Sequence, residues 1–204
     1  MMNVRNLCLA FLALTLSACG GGSRAPAEGD MAMGAAEGAK VTVVEYASPT
    51  CPHCALWQQN TWPAFKAAYV DTNKVRYVFR ELPTPPTDIA AAGFLLARCA
   101  GPDRYFDVIH AIMDSQSEWR TGTNPRDSLI RIAGGVGIDQ AAFTACVTDP
   151  KAIAALETRV KAATDAGVIN TPTFLVNGKR VTSPGGEGTV MADLAPAIDA
   201  ELAK

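Results

Sequence analysis

Histidine is scarce in this sequence: His53 and His110 are the whole complement. There is one Cys-x-x-Cys, Cys51 to Cys54, and no second pair to complete the four ligands of a tetrahedral zinc site. His53 lies between the two sulfurs and points the wrong way to join them, and His110 sits in an apolar helical stretch. A covalently attached haem needs histidine directly after the second cysteine, where Ala55 stands. The expectation is no metal and no cofactor beyond the cysteine pair itself. One-sided charge is missing too. Lys and Arg number 18 against 20 Asp and Glu, for a net charge of −2, without a basic stripe, which argues against a nucleic-acid partner. A long apolar run is also lacking: the run at residues 7–16, "LCLAFLALTL", is too short for a comfortable transmembrane helix.

What that short run does fit is a secretory signal peptide. Arg5 precedes it, no acidic residue does, and the small residues "SAC" follow. "LSAC", residues 16–19, resembles the lipobox of bacterial lipoproteins, which implies a signal peptide over 1–18 and lipidation of Cys19. Gly20 follows Cys19, and whether the inner or the outer membrane holds the anchor stays open. Residues 19–39 are dominated by glycine and alanine, without an apolar period, and read as a flexible tether spanning roughly 25 Å. The rest, about 165 residues, fits one domain carrying an insertion.

Six cysteines are present. Cys8 leaves with the signal peptide and Cys19 goes to lipid. Four remain in an exported chain, where disulfides persist. Cys51 and Cys54 have their own logic, which leaves Cys99 and Cys146. Each shares a helical face with apolar residues, Leu95 for the first and Phe143 and Val147 for the second, so both are expected to point toward a core. A bridge between them would be worth about 3–4 kcal/mol. Two separate buried thiols are the alternative.

"KVTVVEYAS", residues 40–48, reads as a buried strand, and "KVRYVFREL", residues 74–82, as a second. Between them a helix starts at Cys51, with Pro52 suited to its first turn and Pro63 expected to break or kink it. This strand–helix–strand half covers residues 40–82. Residues 83–167 read as helices only, with breaks at Gly101-Pro102, Asn124-Pro125 and Asp149-Pro150. Strand character returns over 168–204, with a hairpin turn at Asn177-Gly178 and a terminal helix that contains Pro196.

A strand leading into Cys51-Pro52-His53-Cys54, a helical insertion, then Thr171-Pro172-Thr173 before a hairpin and a last helix, resembles the DsbA-type thioredoxin-fold proteins over residues 40–203. The fold class this implies is α/β, a thioredoxin-like fold with an inserted all-helical subdomain. The resemblance implies a cis bond at Pro172, substrate-loop roles for Thr171, Pro172 and Thr173, and a buried acid at Glu45 that serves proton transfer at Cys54. It also implies partners: reduced or unfolded exported proteins, and a membrane redox protein that resets the pair. Elementary electrostatics agrees. A sulfur at a helix N-terminus meets unpaired N–H groups and the positive end of the macrodipole, and His53 adds a donor; both favour the Cys51 thiolate. Cys54 is expected to be the less exposed, resolving thiol. Pro52-His53 resembles the oxidase branch and Thr171 the isomerase branch, so a reductase or isomerase stays open beside an oxidase. A chaperone-like binder with a silent pair is the reading outside the enzyme class.

Overall fold

The computed structural model describes Ala27, residues 29–183 and residues 189–204. The expected signal peptide and Cys19 lie outside the described residues. Strand β1 is Met31–Gly34, β2 Thr42–Ala47, β3 Arg76–Glu81, β4 Thr173–Val176 and β5 Lys179–Val181, forming one sheet in the order β1-β3-β2-β4-β5. β2 and β3 run parallel, with Glu45 opposite Phe79, and the remaining pairs are antiparallel. The period-2 alternation of β2 sends Val43, Glu45 and Ala47 to one face and Val44 and Tyr46 to the other. Both faces are covered, so all five residues are buried.

Helix α1, Pro52–Asn60, follows β2 directly. Pro63 lacks the N–H that would continue it, and the chain turns at Thr61 into α2, Trp62–Phe65, and a π-helical turn, Lys66–Val70. The expected break therefore occurs. Trp57, Trp62, Phe65, Tyr77 and Phe174 pack ring against ring between α1–α2 and the sheet, at centroid distances of 4.7 to 5.9 Å.

The helical insertion comprises α3 (Thr87–Cys99), α4 (Pro102–Arg120), α5 (Pro125–Gly135), α6 (Gln140–Thr148) and α7 (Pro150–Asp165). Each of the three expected breaks places its proline at the first position of the next helix, where the missing N–H costs nothing. Asn124 and Asp149 cap two of these helices through their side chains. The hairpin turns at Asn177 and Gly178, with φ of 48° and 80°, as the Asn-Gly pair predicts. Helix α8, Met191–Leu202, closes the chain. No helix among the described residues is long and apolar enough to cross a membrane.

Two expectations need correction. The tether does not run unbroken from 19 to 39, because Met31–Gly34 is an edge strand paired with Phe79–Arg76. Asp30 anchors it, taking Arg80 Nε at 2.9 Å and Nη2 at 2.8 Å in a largely buried fork. Arg98 Nη2 also donates to the Gly29 carbonyl at 2.8 Å. Cys99, expected to point into a core, is exposed. It nevertheless forms the expected disulfide with Cys146, at a Cα–Cα distance of 6.1 Å, tying α3 to α6.

Candidate active site

The site is built where β2 ends and α1 begins. Cys51 has φ −79° and ψ 118°, the extended geometry of a residue that caps a helix, and its Sγ accepts the Cys54 backbone N–H at 3.3 Å. The sulfur thus takes the place of a capping oxygen. Cys51 is 4 % exposed and Cys54 is fully buried, and both are free thiols. The Thr171-Pro172 bond is cis, as expected. It brings the Thr171 carbonyl to 3.4 Å from Cys51 Sγ, so the loop and the cysteine pair form one site across a sequence separation of 120 residues. Thr173 starts β4 opposite Tyr46, and its hydroxyl holds the Asn170 carbonyl at 2.8 Å.

The two thiols are driven in opposite directions. The Cys51 pKa is lowered to about 6, first through its hydrogen bond with the Cys54 side chain. Burial opposes this, and the Thr171 side chain and the backbone N–H groups of Cys54 and His53 add to the lowering. Cys54 is pushed well up by burial, by its bond with Cys51 and by the charges of Cys51 and Glu45. Glu45 lies in the core on the Cys51–Cys54 face of the sheet. Its pKa is raised to about 8 by burial, against a hydrogen bond from the Tyr77 hydroxyl.

His53 contributes to this lowering through its backbone N–H, whereas the sequence pointed to its imidazole. That side chain is exposed and lines a cavity of about 330 Å³ with Leu56, Trp57, Thr189 and Val190. Leu56 and Val190 are half exposed, and Ile169, in the loop before the cis-proline, is 75 % exposed. Apolar surface is therefore exposed on α1, in the loop before the cis-proline and at Val190. Pro52 is exposed at the first position of α1. His110 is mostly buried between Trp62 and Phe106, and burial lowers its pKa to about 4, which leaves it a neutral packing residue.

Some residues escaped the sequence reading. Tyr77, the partner of Glu45, was visible only as an alternating apolar position. Gln116 of α4 reaches the Pro49 and Cys51 carbonyls, and Gln58 of α1 reaches His110 and Asp114 of α4, and no local pattern marks either. Ser48, Thr50 and Thr84 lace the loop before Cys51 through hydrogen bonds of 2.8 to 3.1 Å.

A family model described as Thioredoxin matches residues 26–194. The chain belongs to the thioredoxin family. A provisionally named protein-disulfide oxidoreductase of Rickettsia bellii is 37% identical over 153 residues, 74% of this chain and 58% of that protein. A relative with the same kind of name in Rickettsia prowazekii is 35% identical over 177 residues, 86% of this chain and 62% of its own length. The chain thus spans only about 60% of these relatives. In three dimensions it is similar to the crystal structure of alpha-DsbA1 from Wolbachia pipientis, with a TM-score of 0.74 and 26% identity, over 87% of this chain and 93% of that one. The α/β fold with an inserted helical subdomain is the DsbA-type thioredoxin fold.

Proposed function

We propose that this thioredoxin-family protein is a thiol–disulfide oxidoreductase of the cell envelope that donates its Cys51–Cys54 disulfide to reduced substrate proteins. The observation that carries this is the split between the two sulfurs, with Cys51 lowered to about 6 and Cys54 pushed well up. The names of the Rickettsia relatives and the likeness to alpha-DsbA1 support the same chemistry.

In the forward reaction a substrate thiolate attacks Cys51 of the oxidised pair. The Cys51–Cys54 bond breaks, a mixed disulfide forms at Cys51, and Cys54 leaves as a thiolate. Glu45, whose raised pKa keeps it largely protonated at neutral pH, supplies the proton to Cys54. A second substrate thiolate then attacks the substrate sulfur of the mixed disulfide, and Cys51 departs as a stabilised thiolate. Two electrons pass from substrate to pair. A leaving thiol with a pKa near 6 leaves readily, and its charge stabilises only the reduced protein. At pH 7 a thiol one unit below ambient pH favours the reduced state by about 1.4 kcal/mol, or ~30 mV. The cis-Pro172 loop presents backbone for an extended substrate strand, and the exposed apolar surface at Leu56, Ile169 and Val190 receives its apolar side chains. A membrane redox partner reoxidises the pair, and lipid at Cys19 keeps the protein at the membrane surface.

The test is equilibration of the Cys51–Cys54 couple against glutathione. A potential clearly less negative than about −200 mV supports the oxidase. A value near thioredoxin's, about −270 mV, supports instead a reductase or isomerase, the reading that Thr171 favours. A chaperone-like role would survive Cys51→Ser with full activity.

A further inference from the structure

Helix α4 belongs to the insertion, yet one of its side chains grips the backbone on both sides of the residue that precedes Cys51. Gln116 Nε2 donates to the Pro49 carbonyl at 2.8 Å and to the Cys51 carbonyl at 3.2 Å. Gln116 is itself buried. The Cys51 carbonyl also accepts the Ala55 N–H at 3.1 Å, the first hydrogen bond of α1, so Gln116 acts on the peptide group that opens the helix. Pro49 rests in a notch of the insertion. A Cβ on Gly93 of α3 would stand 3.1 Å from Pro49 Cγ and 3.2 Å from Ile112 Cδ1, a gap that fits glycine. From the other side, Thr50 Oγ1 donates to the Thr84 carbonyl at 2.8 Å. Gln58 answers from α1, its Nε2 reaching the His110 carbonyl and Asp114 Oδ1, each at 3.2 Å.

We infer that Gln116, with the Gly93 notch, is a positioning residue that sets the reactivity of Cys51 from the helical insertion. This rests on the proposed role of Cys51 as the attacked and attacking sulfur. The geometry explains why the grip matters. Cys51 Sγ caps α1 through a 3.3 Å contact to the Cys54 N–H. Displacing the 49–51 backbone by a few tenths of an ångström stretches that contact toward the limit of a useful hydrogen bond, and the thiolate loses part of its support. Packing by the insertion thereby becomes nucleophile strength in the thioredoxin half.

The experiment compares wild type, Gln116→Met, Gln116→Glu, Gly93→Ala and Gln58→Met. Each is titrated by thiolate absorbance, alkylated at pH 6.5 and melted. Met matches the length of Gln116 without a donor, and Glu sets an acceptor against two carbonyls. Both should move the Cys51 midpoint upward and slow alkylation, by ~3–10-fold for Met and further for Glu. Gly93→Ala, which keeps Gln116 and presses on Pro49, should shift the midpoint in the same direction. Gln58→Met cuts the same seam without touching the Cys51 backbone, and should lose stability at an unchanged midpoint. A wild-type midpoint and rate in Gln116→Met, at whatever stability, overturns the inference. Should Gln116→Met not fold, an unshifted midpoint in Gly93→Ala overturns it equally. The functional reading is judged on wild type alone, by whether Cys51 exchanges disulfides at all, so the two failures are distinguishable.

Discussion

The molecule holds two cysteine pairs whose exposure and chemistry run opposite to intuition. Cys99, exposed, is locked in a disulfide with Cys146, while Cys51 and Cys54, both buried, are free thiols at the candidate active site. The difference lies in what surrounds the sulfur. Cys99 and Cys146 join two helices of the insertion, and their bond closes a long loop, an entropic staple on the unfolded chain worth about 4 kcal/mol for a separation of 47 residues. Cys51 stands at a helix start, where the neighbouring Cys54 thiol and then backbone N–H groups favour its charged form. Cys54 lies one turn further in, where burial disfavours a charge. One sulfur of that pair is built to leave, and the other is built to be protonated.

Removing one sulfur at a time separates the two roles. Cys51→Ser should reduce disulfide exchange with a model dithiol peptide to background, and Cys54→Ser should accumulate mixed disulfides at Cys51. Trapping at position 54 in the Cys51→Ser protein would reverse the assignment. The second pair should respond in stability. Replacing Cys99 and Cys146 together by alanine should cost about 2–4 kcal/mol in denaturant unfolding and leave the Cys51 thiolate titration near its wild-type midpoint. A large shift of that midpoint would show that the staple also tunes the site.

Glu45 gives a smaller effect with a defined pH dependence. Its folded pKa of about 8 lies above the ordinary carboxylate value, so the folded state prefers the neutral acid. Its contribution to stability is therefore fully present below pH about 4 and is lost progressively as pH rises to about 8. Glu45→Gln should be nearly neutral at pH 4 and more stable than wild type at pH 8, by ~1–3 kcal/mol, while resolving mixed disulfides more slowly. Equal stability differences at the two pH values would contradict a raised pKa. The smallest effect is expected at His53. His53→Ala keeps the backbone N–H, so the Cys51 midpoint should rise only in part and stay below the ordinary thiol value. A complete return to that value would make the imidazole, not the helix start, the chief control.

The central βαβ unit and the β4–β5 hairpin were legible because β-branched runs, a proline at a helix start and an Asn-Gly turn are local signals, each with one physical meaning. The cis-Pro172 loop was legible only through resemblance. β1 was hidden because "MAMG" has no β-branched residue and a composition that reads as linker; the Asp30–Arg80 pair that fixes it is a long-range contact. The pairing of Cys99 with Cys146 followed from counting, but the exposure of Cys99 did not. A shared helical face with Leu95 does not place the last residue of α3 inside. Tyr77, Gln58 and Gln116 gain their meaning from partners on other elements, which no pattern along the chain records.

Everything rests on Cys51 being a thiolate at neutral pH, and thiolate absorbance followed from pH 4 to pH 10 in the reduced protein measures it most directly. A transition centred near pH 6, lost in Cys51→Ser and kept in Cys54→Ser at a higher midpoint, is the predicted result. A first transition at pH 8.5 or above, the range of an ordinary thiol, would contradict the account.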